Sequence, residues 1–213
     1  SNRPGDELHI QHMDALKRVI EMAHEVGSPL VRIMTSKKEQ ILWGENGAEK
    51  WNVAHGAWDT LPPLIAPAVE LAKAEDKILV VETGNGTMVN SNYTARLLID
   101  QLDAKETLKV LWDPGNNCWC HEVAFPDGYE EVKGGYLGHL HIKDVLVDTP
   151  RAKLEVKQMG KGQLAPHFKP IAKALRNDGY DGVISFESVY HPGNGDFEEG
   201  FRDSIELFKT IFA

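Results

Sequence analysis

The 213 residues are 42% hydrophobic and 26% charged, the balance of an ordinary globular protein, and the length suits one sizeable domain or two small ones. A net charge of −9 and a pI of about 5.5 argue against nucleic acid or an anionic membrane as the main partner. No apolar run approaches the roughly 18 residues of a membrane span, and the chain opens without a charged-then-apolar signal pattern, so the expected setting is cytoplasmic with no membrane partner.

The first segment, HIQHMDALKRVIEMAHEVG, carries Met13, Leu16, Ile20, Ala23 and Val26 at helical spacing and ends on Gly27, a natural helix stop. LVRIM (30–34) predicts a strand. A loop with Trp43 and Trp51 follows, then a helix over about 57–74 with Pro62 and Pro63 near its first turn. KILVVE (77–82) predicts a strand, NSNYTARLLIDQLD a helix over about 90–103, and LKVLWD (108–113) and YLGHLH (136–141) two more strands. Between the last two stand the cysteines, Cys118 and Cys120, too close in the chain for an unstrained disulfide. Even with His121 beside them they fall short of a zinc site, so reduced thiols are expected. RAKLEVKQMGKG (151–162) is a basic segment, read as a solvated face, before a helix over about 164–178 that stops at Gly179. GVISFE (182–187) is the final strand and residues 196–212 a closing helix.

Apolar strands alternating with helices imply a parallel sheet covered on both faces, and no linker or shift in composition divides residues 1–213 into more than one domain. The sheet is either open and doubly wound or part of a (β/α) barrel. Neither GxGxxG nor GxxxxGK occurs, and GNG at 84–86 is only a fragment of a phosphate-binding fingerprint.

Four strands share one feature at their C-terminal ends. KILVVE ends on Glu82, LKVLWD on Asp113, YLGHLH on His141 and GVISFE on Glu187, with 31, 28 and 46 residues between successive members. In a barrel these ends converge on one face. Three carboxylates and an imidazole gathered there repel one another unless a divalent cation lies between them. Mixed oxygen and nitrogen ligands suit Mn²⁺, Co²⁺, Mg²⁺ or Zn²⁺. In GHLHIKD (138–144), His139, His141 and Lys143 point to one side. Only His141 stands at the level of the other three ligands, with His139 one layer deeper and Lys143 at the rim.

The sequence resembles the xylose-isomerase-like barrels, which include sugar and sugar-phosphate isomerases and epimerases. The match rests on VVETGNGT (80–87), WDPGN (112–116), GHLHIKD (138–144), GKG (160–162) and ISFES (184–188). It implies one divalent metal held by Glu82, Asp113, His141 and Glu187. It also implies a carbohydrate substrate and proton transfer through a metal-bound enediolate, with Glu82 and Glu187 as the base and acid. Asn116, His139 and Lys143 are the expected substrate-binding residues, set against turn chemistry for Asn116 and against an ion pair with Asp144 or another carboxylate for Lys143. Trp43, Trp51, Trp112 and Trp119 are candidates for an apolar pocket wall and His191 for the rim, each set against ordinary packing or turn chemistry.

The fold expected from this is a TIM-type barrel short of about three N-terminal βα units, on the order of 70 residues below the roughly 250 usual for the fold. Its open edges make a homo-oligomer possible. The rival readings are a metal-dependent dehydratase of a cyclic polyol or shikimate-like acid, and a non-catalytic sugar-binding relative. An apurinic-site endonuclease with a multi-zinc cluster needs further histidines, and Asn116 stands where one would be wanted.

Overall fold

The structure is a computed structural model that describes residues 4–35, 47–84 and 86–213, the side chains of 47–57 excepted. Helix α1 (Glu7–Glu25) leads into strand β1 (Leu30–Ile33), and α2 (Gly47–Ala74) into β2 (Ile78–Glu82). Helix α3 (Asn92–Gln101) precedes β3 (Leu108–Trp112), and the short α4 (Pro114–Trp119) and α5 (Tyr129–Val132) precede β4 (Leu137–Ile142). Strands β5 (Asp144–Asp148) and β6 (Lys153–Lys157) come next, followed by α6 (Phe168–Asn177), β7 (Ile184–Phe186) and α7 (Phe197–Phe212). Strands β1, β2, β3, β4 and β7 pair in parallel in that order, while β5 and β6 form a separate antiparallel pair.

Alternation sorts the side chains. Leu79, Val81, Leu108, Val110, Trp112, Leu140 and Ile142 point from the sheet into the core shared with the helices, and all are fully buried. Each contributes about 1.5–3 kcal/mol by leaving water. The opposite face carries Val80, Glu82, Leu111, His139 and His141. The sheet is therefore built as an arc with an apolar outer side and a partly polar inner side, the layout of a TIM-type barrel wall.

One irregularity sets the phase of the polar side. The β3–β4 register runs Val110 to Leu137 and then Leu111 to His139, so Gly138 is an extra residue. A Cβ on Gly138 would lie 2.7 Å from Lys109 Cβ and 2.8 Å from Val80 Cγ1, so only glycine fits. Beyond the bulge Trp112 pairs with Leu140, which brings His141 level with Asp113.

Three features depart from the sequence expectation. Helix α2 begins ten residues before the expected start near 57, so Pro62 and Pro63, with Pro67, lie inside the helix and not in its first turn. The segment after GHLHIKD forms the β5–β6 hairpin, which no strand was expected to occupy. Its register joins Val145 to Val156 and Val147 to Leu154, an alternation that the interleaved charges of KLEVK obscure. LKVLWD was expected to run as a strand through Asp113, yet β3 ends at Trp112 and Pro114 opens α4 with Asp113 as its cap.

Candidate metal centre

Glu82 is the last residue of β2, and Asp113 directly follows β3. His141 sits near the end of β4, and Glu187 follows β7, its backbone N–H donating to Ile142 O at 2.9 Å. One ligand atom from each of the four lies within 4.8 Å of the others, a geometry able to hold a metal ion. The two oxygens of Asp113 have separate surroundings. Oδ1 accepts from the backbone N–H groups of Gly115 and Asn116 at 2.9 and 3.1 Å and caps α4. Oδ2 faces the cluster.

The residues present fit an ion. Glu82 Oε2, Asp113 Oδ2 and His141 Nδ1 are buried; among the described residues His141 Nδ1 has no hydrogen-bond partner, and the two carboxylate oxygens are met by the cations Arg32 and Lys143. A buried nitrogen without a partner is costly, and a metal cation that also draws on the two carboxylates is a partner that could satisfy it. His141 Nδ1 lies 3.5 Å from Glu82 Oε1 and 3.9 Å from Glu187 Oε1.

Two cations compensate these carboxylates. Lys143, 6% exposed, places Nζ 2.7 Å from Asp113 Oδ2 and donates a hydrogen bond of 2.6 Å to Glu187 Oε2. Arg32, half exposed on β1, forms an ion pair with Glu82 Oε2. Burial pushes the Asp113 carboxyl up from 3.8 to about 6, with the Lys143 ammonium opposing the rise. Burial also raises Glu187, but the hydrogen bond and charge of Lys143 outweigh it and hold Glu187 below the usual range. His139 is lowered by burial and by His141 beside it.

The remaining expected residues fall as follows. His139 lies one layer below His141, edge-on to it at 5.3 Å, with Nε2 hydrogen-bonded to Ser185 Oγ at 2.9 Å. Asn116 donates from Nδ2 to Thr83 O at 2.8 Å and so ties α4 to the loop after β2. Trp112 does not wall a pocket: it is fully buried, donates to Asn117 Oδ1 at 2.7 Å and packs on Tyr129. Trp119 covers Lys143, with Nζ 5.1 Å from the ring centre. Trp43 and the side chain of Trp51 lie outside the described residues. His191 accepts from the backbone N–H groups of Gly193 and Gly195, which is turn chemistry. In the basic segment, Arg151 pairs with Asp148 and Lys157 with Glu155 on the hairpin surface.

Sequence reasoning missed Arg32 and the hold on Asp144. The signal for Arg32 was a lone charge inside the apolar run LVRIM. Asp144 accepts from the backbone N–H groups of Val145, Gly160, Gly162 and Leu164, which fastens the GKG turn beneath the site. A cavity of about 360 Å³ lies on the side of α4 that holds Cys118 and His121, and none of the four residues lines it. Burial pushes the Cys118 thiol up to about 11, which leaves it a poor nucleophile.

Comparison with known proteins bears on the fold. Residues 2–211 match the family model for the xylose isomerase-like TIM barrel. The 3-keto-D-glucoside 4-epimerase YcjR from E. coli is similar in structure, with a TM-score of 0.70 at 20% identity over 98% of this chain and 75% of that one. D-psicose 3-epimerase from Clostridium cellulolyticum H10, solved with D-tagatose, has a TM-score of 0.69 at 15% identity over 99% and 74%. A xylose isomerase-like TIM barrel protein from Mycobacterium smegmatis, solved in complex with magnesium, has a TM-score of 0.66 at 16% identity over 95% and 67%. No curated protein matches significantly. At these identities the solved structures speak for the fold, and the family match over nearly the whole length does more: the chain belongs to the xylose isomerase-like TIM barrel family.

Proposed function

We propose that the chain is a divalent-metal-dependent epimerase or isomerase that moves a proton next to a carbonyl of a carbohydrate. One observation carries this reading: the ligand atoms of Glu82, Asp113, His141 and Glu187 gather within 4.8 Å at the C-terminal strand ends. That is the face where barrels of this kind collect catalytic residues. The similar solved structures include sugar epimerases, which favours a carbohydrate substrate.

A bound divalent ion would supply positive charge against the negative charge that develops on the substrate's carbonyl and hydroxyl oxygens as the α-proton leaves. Glu187, with 29% of its side chain exposed, is the carboxylate best placed to reach a substrate proton. Glu82 lies on β2, three strands from β7 along the arc, and delivers a proton from its own carboxyl group. Return to the same carbon from the other face inverts it, and return to the adjacent carbon isomerises the sugar. Asp113, fully buried and tied by Oδ1 to α4, only holds the ion, as does His141. Asn116, His139 and Lys143 are the proposed substrate contacts, Asn116 through Oδ1, which takes no hydrogen bond from the described residues.

The test is solvent exchange. The chain is loaded with Mn²⁺ in deuterium oxide and offered ketohexoses, aldoses, inosose and 3-keto-glucosides. Deuterium should appear on the carbon beside the carbonyl of one of them, and Glu187→Gln should slow this by roughly 10²–10⁴-fold while the ion still binds. Loss of water from the product would point instead to the dehydratase reading. A metal-loaded chain that exchanges no proton in any substrate contradicts the proposal.

A further inference from the structure

Lys143 is built into the site more firmly than a surface lysine that has folded inward. Its side chain is 6% exposed and its ammonium meets Asp113 Oδ2 at 2.7 Å and Glu187 Oε2 at 2.6 Å. Its stem runs through a slot between α4 and β5. Gly115 opens that slot: a Cβ there would lie 2.9 Å from both Cε and Cγ of Lys143 and 3.1 Å from Val145 Cγ1. The indole of Trp119 covers the ammonium from another side. Arg32, the other cation of the site, is 52% exposed and can turn into solvent, whereas Lys143 has no such exit.

We infer that the Lys143 ammonium is a built-in competitor for the divalent ion, holding Asp113 and Glu187 together before an ion arrives and leaving both oxygens when one binds. This inference rests on the proposal that the four strand-end residues hold an ion. Mg²⁺ or Zn²⁺ approaches its oxygen ligands to about 2.0–2.2 Å. An ammonium at 2.7 and 2.6 Å from the same two oxygens would then lie within a few ångströms of a dication in a buried setting, where repulsion is poorly screened. The two cations therefore exclude one another from Asp113 and Glu187. The slot keeps the stem fixed, so the displaced ammonium stays beside the ion, against the Trp119 face, where a cation is tolerated. Lys143 thus sets how tightly the site takes an ion.

The experiment is Mn²⁺ titration by calorimetry of the full chain, comparing wild type with Lys143→Met and Lys143→Gln. Methionine fills the slot without charge. Glutamine keeps a donor for the carboxylates, which covers the case in which the methionine variant does not fold. Both variants should bind Mn²⁺ at least tenfold more tightly than wild type, and without metal both should melt at a lower temperature. Variants that bind no more tightly than a wild type that does bind would overturn the role of Lys143 and leave the metal site standing. Absence of binding in all three proteins would overturn the metal site and this inference together.

Discussion

Asp113 divides its work between its two oxygens, one capping α4 and one facing the cluster, and its burial sets a testable pH behaviour. Its folded value of about 6 lies above the ordinary 3.8, so the metal-free fold favours the protonated form. That contribution is complete below about pH 4 and is lost as the pH rises through about 6. Thermal melts in the presence of chelator should therefore show Asp113→Asn gaining on wild type between pH 4 and pH 7; a difference that does not change with pH contradicts the assignment. The same variant should bind Mn²⁺ at least tenfold more weakly, because the ion needs the carboxylate. Glu187→Gln should cost roughly 10²–10⁴ in turnover, the usual contribution of a positioned acid or base. At this scale the four residues that cluster at the strand ends were legible because each ends an apolar run. Lys143 was legible only in part: alternation gives its direction and a carboxylate partner was one of its two readings, but only the tertiary fold shows that the partners are Asp113 and Glu187. Trp112 shows the converse: a large aromatic beside a ligand reads equally well as pocket wall or core, and its buried bond to Asn117 decides for core.

Between strands, the Gly138 bulge does what no single side chain can. Without the extra residue β4 would be out of phase with β3, and His141 would no longer stand level with Asp113. Gly138→Ala should cost about 1–3 kcal/mol by overpacking against Lys109 and Val80. Urea denaturation measures this, and an unchanged midpoint would show that the strands can yield. The hold of Asp144 on four backbone N–H groups makes a second element-scale prediction. Asp144→Ala should destabilise the chain by at least about 3 kcal/mol, because buried donors lose their charged acceptor. Five parallel strands and their helices were readable from apolar runs and 3.6-residue periodicity. The hairpin was hidden because alternating lysine and glutamate make KLEVK look like a solvated segment. Helix α4 was hidden because Asp-Pro-Gly-Asn serves a turn as well as a capped helix start.

Across the whole molecule, a chain of net charge −9 concentrates three carboxylates at one end of its sheet and sets two cations against them. Among the described residues the cluster is still short of positive charge with Arg32 and Lys143 in place, and the buried Nδ1 of His141 has no hydrogen-bond partner. The convergence of four residues spread over more than a hundred positions was readable in advance because a parallel barrel wall brings all its strand ends to one face. Which cations would accompany them was not, because that depends on the curvature of the arc and on the slot beside α4. The central claim is that these four residues form one divalent-metal site. Equilibrium dialysis against Mn²⁺ tests it most directly, comparing wild type with a variant carrying both Asp113→Asn and His141→Ala. The account predicts about one ion per chain for wild type and none retained by the double variant. Equal retention by both, or none by either wild type or Lys143→Met, would contradict it.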